Sequence, residues 1–406
     1  MIKRIPSYKI IRKVLFPLLP LFFFLNSGCI EEIGFTIETV ENALVVNATI
    51  TNELRFQQIE LSRTYAFEEN GPNPEAQATV IVVGNATQYV FQETTPGVYT
   101  SETAFAAQPN VDYQLQIVTQ NGQRYSSVVR QLTQNTAIER VYAIRETNDD
   151  GVNGVSIYVD SFDPTGNSKY YGYEYEETYK IVPPSFVPED LIVISTTSCE
   201  VKLVPRSEDE RVCYNTVGSQ NINVTTTTGF TEDRVSRYPV RFVSSDNYIL
   251  TTRYSILVKQ FVLSEGAYDY FETINSFSSE GSLFSQIQPG FVVGNISTEN
   301  ESTEPAIGFF EVASVASKRL FFSFDDFYEG EPTPPWAVNC EKTAPLQFNR
   351  LGTGCGPLIF RIERDVIVYF KMNNGTVEGD PYVMVPRECG DCTALGTTEV
   401  PEFWID

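Results

Sequence analysis

Carboxylates are the commonest groups able to do chemistry in this chain of 406 residues, with 52 Asp and Glu against 29 Lys and Arg and no histidine. They cluster at Glu174 with Glu176 and Glu177, at Glu208 to Glu210, and at Asp325 with Asp326. Two carboxyls about 5–10 Å apart in a cleft are enough to hydrolyse a glycoside. Hydrolysis of surface glycans by acids alone is therefore a chemistry this composition permits. The lack of histidine removes Ser-His-Asp and Cys-His nucleophile activation, His-ligated zinc and the usual general base near neutral pH. Acid runs of this kind are ordinarily solvated faces. The reading is therefore non-enzymatic, with no catalytic residue assigned.

Cysteine offers a second chemistry. CGDC, Cys389 to Cys392, has the spacing of a redox pair or of half a metal site. A four-cysteine zinc site shows two such close pairs and this chain has one. A redox pair of the thioredoxin kind opens a helix in an α/β domain, and the surrounding pattern here is β. Cys199, Cys213, Cys340, Cys355, Cys389 and Cys392 make an even set, which in an exported chain reads as disulfides. Sequence does not choose among the 15 pairings of six cysteines. Locality favours Cys199 with Cys213, and Cys340 and Cys355 with each other or with the CGDC pair. NDDGVNG, Asn148 to Gly154, loosely resembles a calcium loop, but strands flank it and the EF-hand spacing is missing. It reads as a β-turn. No metal or cofactor is expected. Trp336 follows three prolines in GEPTPPWAVNC and is the residue singled out for contact with a ligand or partner. Trp404, in PEFWID, is expected to pin the C-terminus.

The seventh cysteine, Cys29, stands in LFFFLNSGCIEE. Before it come five basic residues, Lys3, Arg4, Lys9, Arg12 and Lys13, and then an apolar run from Val14 to Leu25. A basic start, an apolar stretch and small residues describe a secretory signal peptide. The run is shorter than the ~20 residues needed to span a bilayer. Ser27-Gly28-Cys29 resembles a lipobox, in which acyl chains such as palmitate are attached at the cysteine and the chain is cut before it. Asn26 departs from that pattern, three places before the cysteine. Glu31 and Glu32 follow and resemble a surface-export signal. Residues 1–28 are thus expected to be a lipoprotein signal peptide, and residues 29–32 the lipidated cysteine and acidic tether. Removing five positive charges and no negative one takes the formal charge from −23 to −28. Nucleic acid and anionic head groups, both drawn to basic patches, are not expected partners.

The elements that must position all this are strands. Ala43–Thr51, Gln58–Tyr65, Ala78–Gly84 and Gln88–Glu93 are short, β-branched and bounded by polar turns. DYQLQIVTQNGQRYSSVVRQL, Asp112 to Leu132, is a hairpin around Asn121-Gly122. Tyr171, Tyr173 and Tyr175 alternate along one later strand, and Val155, Ile157 and Val159 along another. LSEGAYDYFETINSFSS, Leu263 to Ser279, is the one convincing helix, with Ser264 as cap and Ala267, Phe271 and Ile274 as its stripe. Leu358–Met372 reads as a strand. The NX(S/T) triplets, at Asn295 among others, read as ordinary Asn and Thr usage. The expected architecture is mainly β, with an N-terminal immunoglobulin-like β-sandwich over residues 33–135. A larger antiparallel β domain, disulfide-stapled and carrying one amphipathic helix, covers residues 136–406.

The order of ALVVNATITNE, IELSRTY, TPGVYTS, YQLQIVTQNGQRYSS, SEGAYDYFETI, VVGNISTENESTEPAIGFFEVAS and CGDCTALGTTEVPEFW resembles the Bacteroidota lipoproteins called domain of unknown function 4249. The resemblance implies a cell-surface lipoprotein held on the outer membrane by a lipid anchor, acting as partner of a TonB-dependent outer-membrane receptor. It brings no catalytic residues. The expected function is accordingly a non-enzymatic binding or accessory lipoprotein of a TonB-dependent transporter. A carboxylate-based glycan hydrolase and an adhesin or envelope-assembly accessory protein remain the alternatives.

Overall fold

The computed structural model describes residues 42–65, 71–220, 222–279, 292, 294–299, 304–375 and 377–406. Cys29, Glu31 and Glu32, with the expected signal peptide and tether, lie outside the described residues. The strands in chain order are β1 (Leu44–Thr51), β2 (Gln58–Arg63), β3 (Asn73–Pro74), β4 (Thr79–Gly84), β5 (Thr87–Thr95), β6 (Val98–Ser101) and β7 (Tyr113–Val118). Next come β8 (Arg124–Ser127), β9 (Ile138–Thr147), β10 (Asn153–Asp163), β11 (Tyr170–Ile181), β12 (Glu189–Ser195), β13 (Glu200–Pro205) and β14 (Cys213–Gly218). The last are β15 (Asn223–Thr226), β16 (Asp233–Ser244), β17 (Arg253–Val262), β18 (Ile296–Thr298), β19 (Ala306–Ser323), β20 (Ile367–Met372) and β21 (Tyr382–Pro386). The chain is mainly β, as its sequence predicts.

One sheet of 14 strands runs β14-β11-β17-β19-β1-β2-β6-β5-β4-β7-β8-β18, with β15 on β11 and β3 on β2. Its longest described strand is β19, of 18 residues, with two partners in series. Residues 306–313 pair in parallel with β1, and residues 314–323 pair antiparallel with β17. Alternation along β1 sends Leu44, Val46, Ala48 and Ile50 inward and leaves Val45, Asn47 and Thr49 on the other face. The inward set joins Tyr99, Tyr113, Leu115, Tyr125, Phe310 and Val312 in the core of the N-terminal half. That half is closed by Asn295, whose side-chain amide donates to the Phe310 carbonyl at 2.8 Å and accepts from the Phe310 N–H at 2.7 Å.

The expected boundary at residue 135 falls where the sheet does not break. Residues beyond it return as β18 and β19 to complete the N-terminal half. The junction itself is fastened down: the Thr133 hydroxyl donates to the Val262 carbonyl at 2.7 Å, and the Gln260 amide donates to the Thr136 carbonyl at 2.9 Å. These contacts occupy backbone groups that a free linker would leave to water.

A three-stranded sheet, β16-β10-β9, covers the other half. Val155, Ile157 and Val159 meet Tyr171, Tyr173, Ile256 and Val258 in its core. Two small sheets, β12-β13 and β20-β21, complete the C-terminal end. There the sequence reading of Leu358–Met372 as one strand is corrected: Pro357–Glu363 is a helix, and only Ile367–Met372 is strand. Pro357 at the first turn is preset for a helix, and Asp365 turns the chain at φ 55° before β20. Among the described residues no helix is long and apolar enough to cross a membrane.

Candidate functional site

The helix Glu265–Ser279 stands on the outer face of the large sheet. The Ser264 hydroxyl caps it, accepting from the Ala267 N–H at 3.3 Å. The same hydroxyl donates to Glu311, which is buried under the helix start and whose pKa burial raises. Ala267 is fully buried against Phe309, Ala313 and Val315, and Phe271 and Ile274 pack on the same cluster. Gly172 lets the opposite wall close: a β-carbon there would lie 2.8 Å from Ile222 and 3.1 Å from Leu263. The Asn275 amide ties helix to loop by donating to the Ile222 carbonyl at 2.9 Å.

Between helix, sheet and loop lies a groove of about 250 Å³. Its apolar wall is Phe261, Leu263, Tyr270, Phe271, Ile274 and Phe309. The rings of Tyr270 and Phe309 lie 5.6 Å apart, and so do those of Tyr270 and Phe271. Asn47, Thr49, Ser219 and Gln220 give it a polar rim. Glu174 is the one acid among the described lining residues. It sits on β11 beside Tyr173, which alternation turns into the core, so Glu174 faces the groove side. Desolvation by the wall raises its pKa above the ordinary carboxylate value, and the charges of Lys259 and Arg55 only partly offset this. Lys259 stands directly opposite in the β11–β17 register but closes no ion pair with it among the described residues. A concave, aromatic-walled groove with one desolvated acid is suited to holding a ligand by its apolar body and orienting it by one polar group.

The other expected residues have structural positions. Glu177 is a buried anchor: it accepts from Arg241 Nε at 3.0 Å, from Arg241 Nη2 at 3.1 Å and from the Tyr254 hydroxyl at 2.6 Å. Glu176 pairs with Arg319 at 3.4 Å, and Glu210 with Arg206 at 3.1 Å. Asp326 accepts from the Ser323 N–H at 2.7 Å. NDDGVNG is the β9–β10 hairpin turn, in which Asn148 Oδ1 accepts from the N–H groups of Asp150 and Val152. Trp336 is half-buried between two apolar clusters, and its indole N–H donates to the Glu388 carbonyl at 2.9 Å. Its remaining surface lines a shallow hollow with Pro184 and Pro335, away from the groove residues. Trp404 lies edge-on to Tyr214 at 4.9 Å and holds the tail.

The cysteines pair as Cys199–Cys355, Cys213–Cys392 and Cys340–Cys389, with Cα separations of 5.2, 5.5 and 5.7 Å. The local bond expected between Cys199 and Cys213 is therefore not formed. Cys199 sits at the tip of the β12–β13 hairpin, whereas Cys213 opens β14 in the large sheet and is fully buried in the main core. Cys340 does join the CGDC pair, through Cys389, but Cys355 does not. CGDC is not closed on itself: Cys389 and Cys392 reach different partners, so the motif is two staples side by side. Among the described residues no group of three or more His, Cys, Asp or Glu is placed to hold a metal ion.

Sequence reading named Glu174 only as one of many acids and named none of the aromatic wall as a site. The groove draws on β1, β11, β17, β19, the helix and the loop before β15, and no single stretch carries the signal. SEGAYDYFETI, which supplies Tyr270, Phe271 and Ile274, was the nearest to it.

A family model described as Domain of unknown function (DUF4249) matches residues 30–319. No curated protein matches the chain. The matched span ends within β19, so four of the paired cysteines, Cys340, Cys355, Cys389 and Cys392, lie beyond it.

Proposed function

The chain belongs to the DUF4249 family, and we propose that it is a non-enzymatic binding lipoprotein serving a TonB-dependent transporter at the bacterial outer membrane. Lipid on Cys29 tethers the body, and Glu31 and Glu32 direct it to the cell exterior. One observation carries the binding part of this reading: the groove beside Glu265–Ser279 has the aromatic lining of a ligand site and, among the described residues, a single acid. Hydrolysis by paired carboxyls needs a second acid facing the first. The anchoring part is supported by the basic start, apolar run and Ser27-Gly28-Cys29 of the sequence. Two or more acyl chains on one cysteine hold a body firmly, at about 0.8 kcal/mol per buried CH₂.

The test is a pull-down of the native protein from its own membranes in mild detergent, with co-purifying chains identified by mass and Cys29→Ala as control. A stoichiometric β-barrel receptor with the parent protein supports the accessory role. Repeated recovery of the protein alone overturns it. A Cys29→Ala protein that stays with the membrane fraction removes the lipid tether.

A further inference from the structure

We propose that the groove beside the helix takes an organic ammonium, a primary amine on an apolar or aromatic stem, with Glu174 as its counter-ion. This rests on the reading of the groove as a ligand site and goes beyond it by naming the ligand's chemistry. Glu174 is half-buried, lines the groove, and accepts no hydrogen bond or ion pair among the described residues. A carboxylate removed from water without a partner is costly, and a ligand that brings donors recovers that cost. The Glu177 carboxylate, on the same strand but the opposite face, has three donors within 3.1 Å. Of the three acids of β11, the chain thus satisfies Glu177 fully, pairs Glu176 with Arg319 and leaves Glu174 facing a cavity.

The rest of the lining selects the ligand's body. Phe261, Phe271, Phe309 and Tyr270 offer apolar area and π-systems, which favour an ammonium over a neutral head. A divalent cation is disfavoured because Glu174 is the one carboxylate among the described lining residues, and such ions take six or more oxygens. An anionic ligand would meet the carboxylate directly. The volume of about 250 Å³ suits one ring and a short amine-bearing arm rather than a chain of residues. The charges that bear on Glu174 from neighbouring elements are Lys259 on β17 and Arg55 after β1. Both oppose an incoming cation, so removing one should strengthen binding.

The test is equilibrium dialysis of the mature lipidated protein in detergent, with empty micelles as blank. The probes are phenethylamine, 2-phenylethanol and 3-phenylpropionate. The expected result is saturable binding of the amine at least tenfold tighter than of the alcohol, with no saturable binding of the acid. Glu174→Gln should lose that tenfold preference while keeping alcohol binding. Lys259→Met, opposite Glu174 in the β11–β17 register, should tighten amine binding. Equal binding of amine and alcohol, an unchanged preference in Glu174→Gln, or no saturable amine binding overturns the proposal. Amine binding without a co-purifying receptor leaves this inference standing and removes the accessory role; a receptor without amine binding does the reverse.

Discussion

Replacing Glu177 by alanine should destabilise the protein by about 3 kcal/mol, near the lower end of the range for breaking a buried ion pair from one side. Glu177 is 6% exposed and accepts three hydrogen bonds, two from Arg241 and one from Tyr254. Tyr254 is fully buried, so its hydroxyl finds no water when the carboxylate is gone. The Arg241 side chain is 28% exposed and recovers part of its hydration, which is why the upper end of the range is not expected. The double variant Glu177→Leu with Arg241→Met removes both charges together but still leaves the Tyr254 hydroxyl without an acceptor, and should lose about 1–2 kcal/mol. The assay is urea unfolding at pH 7 without reductant, followed by far-ultraviolet circular dichroism and read as a midpoint shift at constant slope. A loss below about 1 kcal/mol in Glu177→Ala would refute the claim that the unpaired Arg241 charge and the orphaned Tyr254 hydroxyl set the energy. So would a double variant as unstable as the single one.

Gly308 has φ 140°, and a β-carbon there would lie 2.1 Å from the Val46 carbonyl oxygen. Gly308→Ala should therefore cost about 3 kcal/mol and speed amide hydrogen exchange along β1 more than along β10. Cys340→Ser with Cys389→Ser opens a loop spanning 49 residues, and the chain-entropy estimate is a loss of about 4 kcal/mol in the urea midpoint. Asp391, inside CGDC, gives a pH prediction. Burial alone would raise its pKa, but the Thr393 hydroxyl and N–H, with Arg387 and Arg206, hold it below the ordinary carboxylate value. A depressed folded pKa means stability present above the unfolded value of about 3.9 and lost as pH falls through the folded value. Asp391→Asn should be less stable than the parent at pH 7, and urea midpoints should converge below about pH 4.

The local elements were legible because their signals are local. The hairpin of β7 and β8 follows from alternation around Asn121-Gly122, and Gly122 indeed takes φ 85°. The Ser264 cap and the Ala267, Phe271, Ile274 stripe gave the helix. Leu358–Met372 misled because Leu358, Ile359 and Ile362 are an apolar run too short for periodicity to separate strand from helix. The disulfides were legible as a set and not as pairs. Every bond spans 49 residues or more, so short separation was the wrong guide. The site was the least legible part. Glu174 and Glu177 are three apart in sequence and look alike. Only the sheet shows that one lies in the core beneath Arg241 and the other beside the helix.

The double partnership of β19 sets a timetable for the nascent chain. Asn52 at the end of β1 accepts a hydrogen bond from the Val315 N–H, 263 residues further on. At about 5–20 residues per second, roughly 13–50 s of synthesis separate the two. Throughout that interval β1 has β2 on one side and an open edge on the other, with Val46, Ala48 and Ile50 in an unfinished core. An edge of that kind is a template for pairing with other chains. The N-terminal half therefore cannot mature first and wait for the rest. Both halves close only when β19 arrives, and β1 keeps an open edge until then.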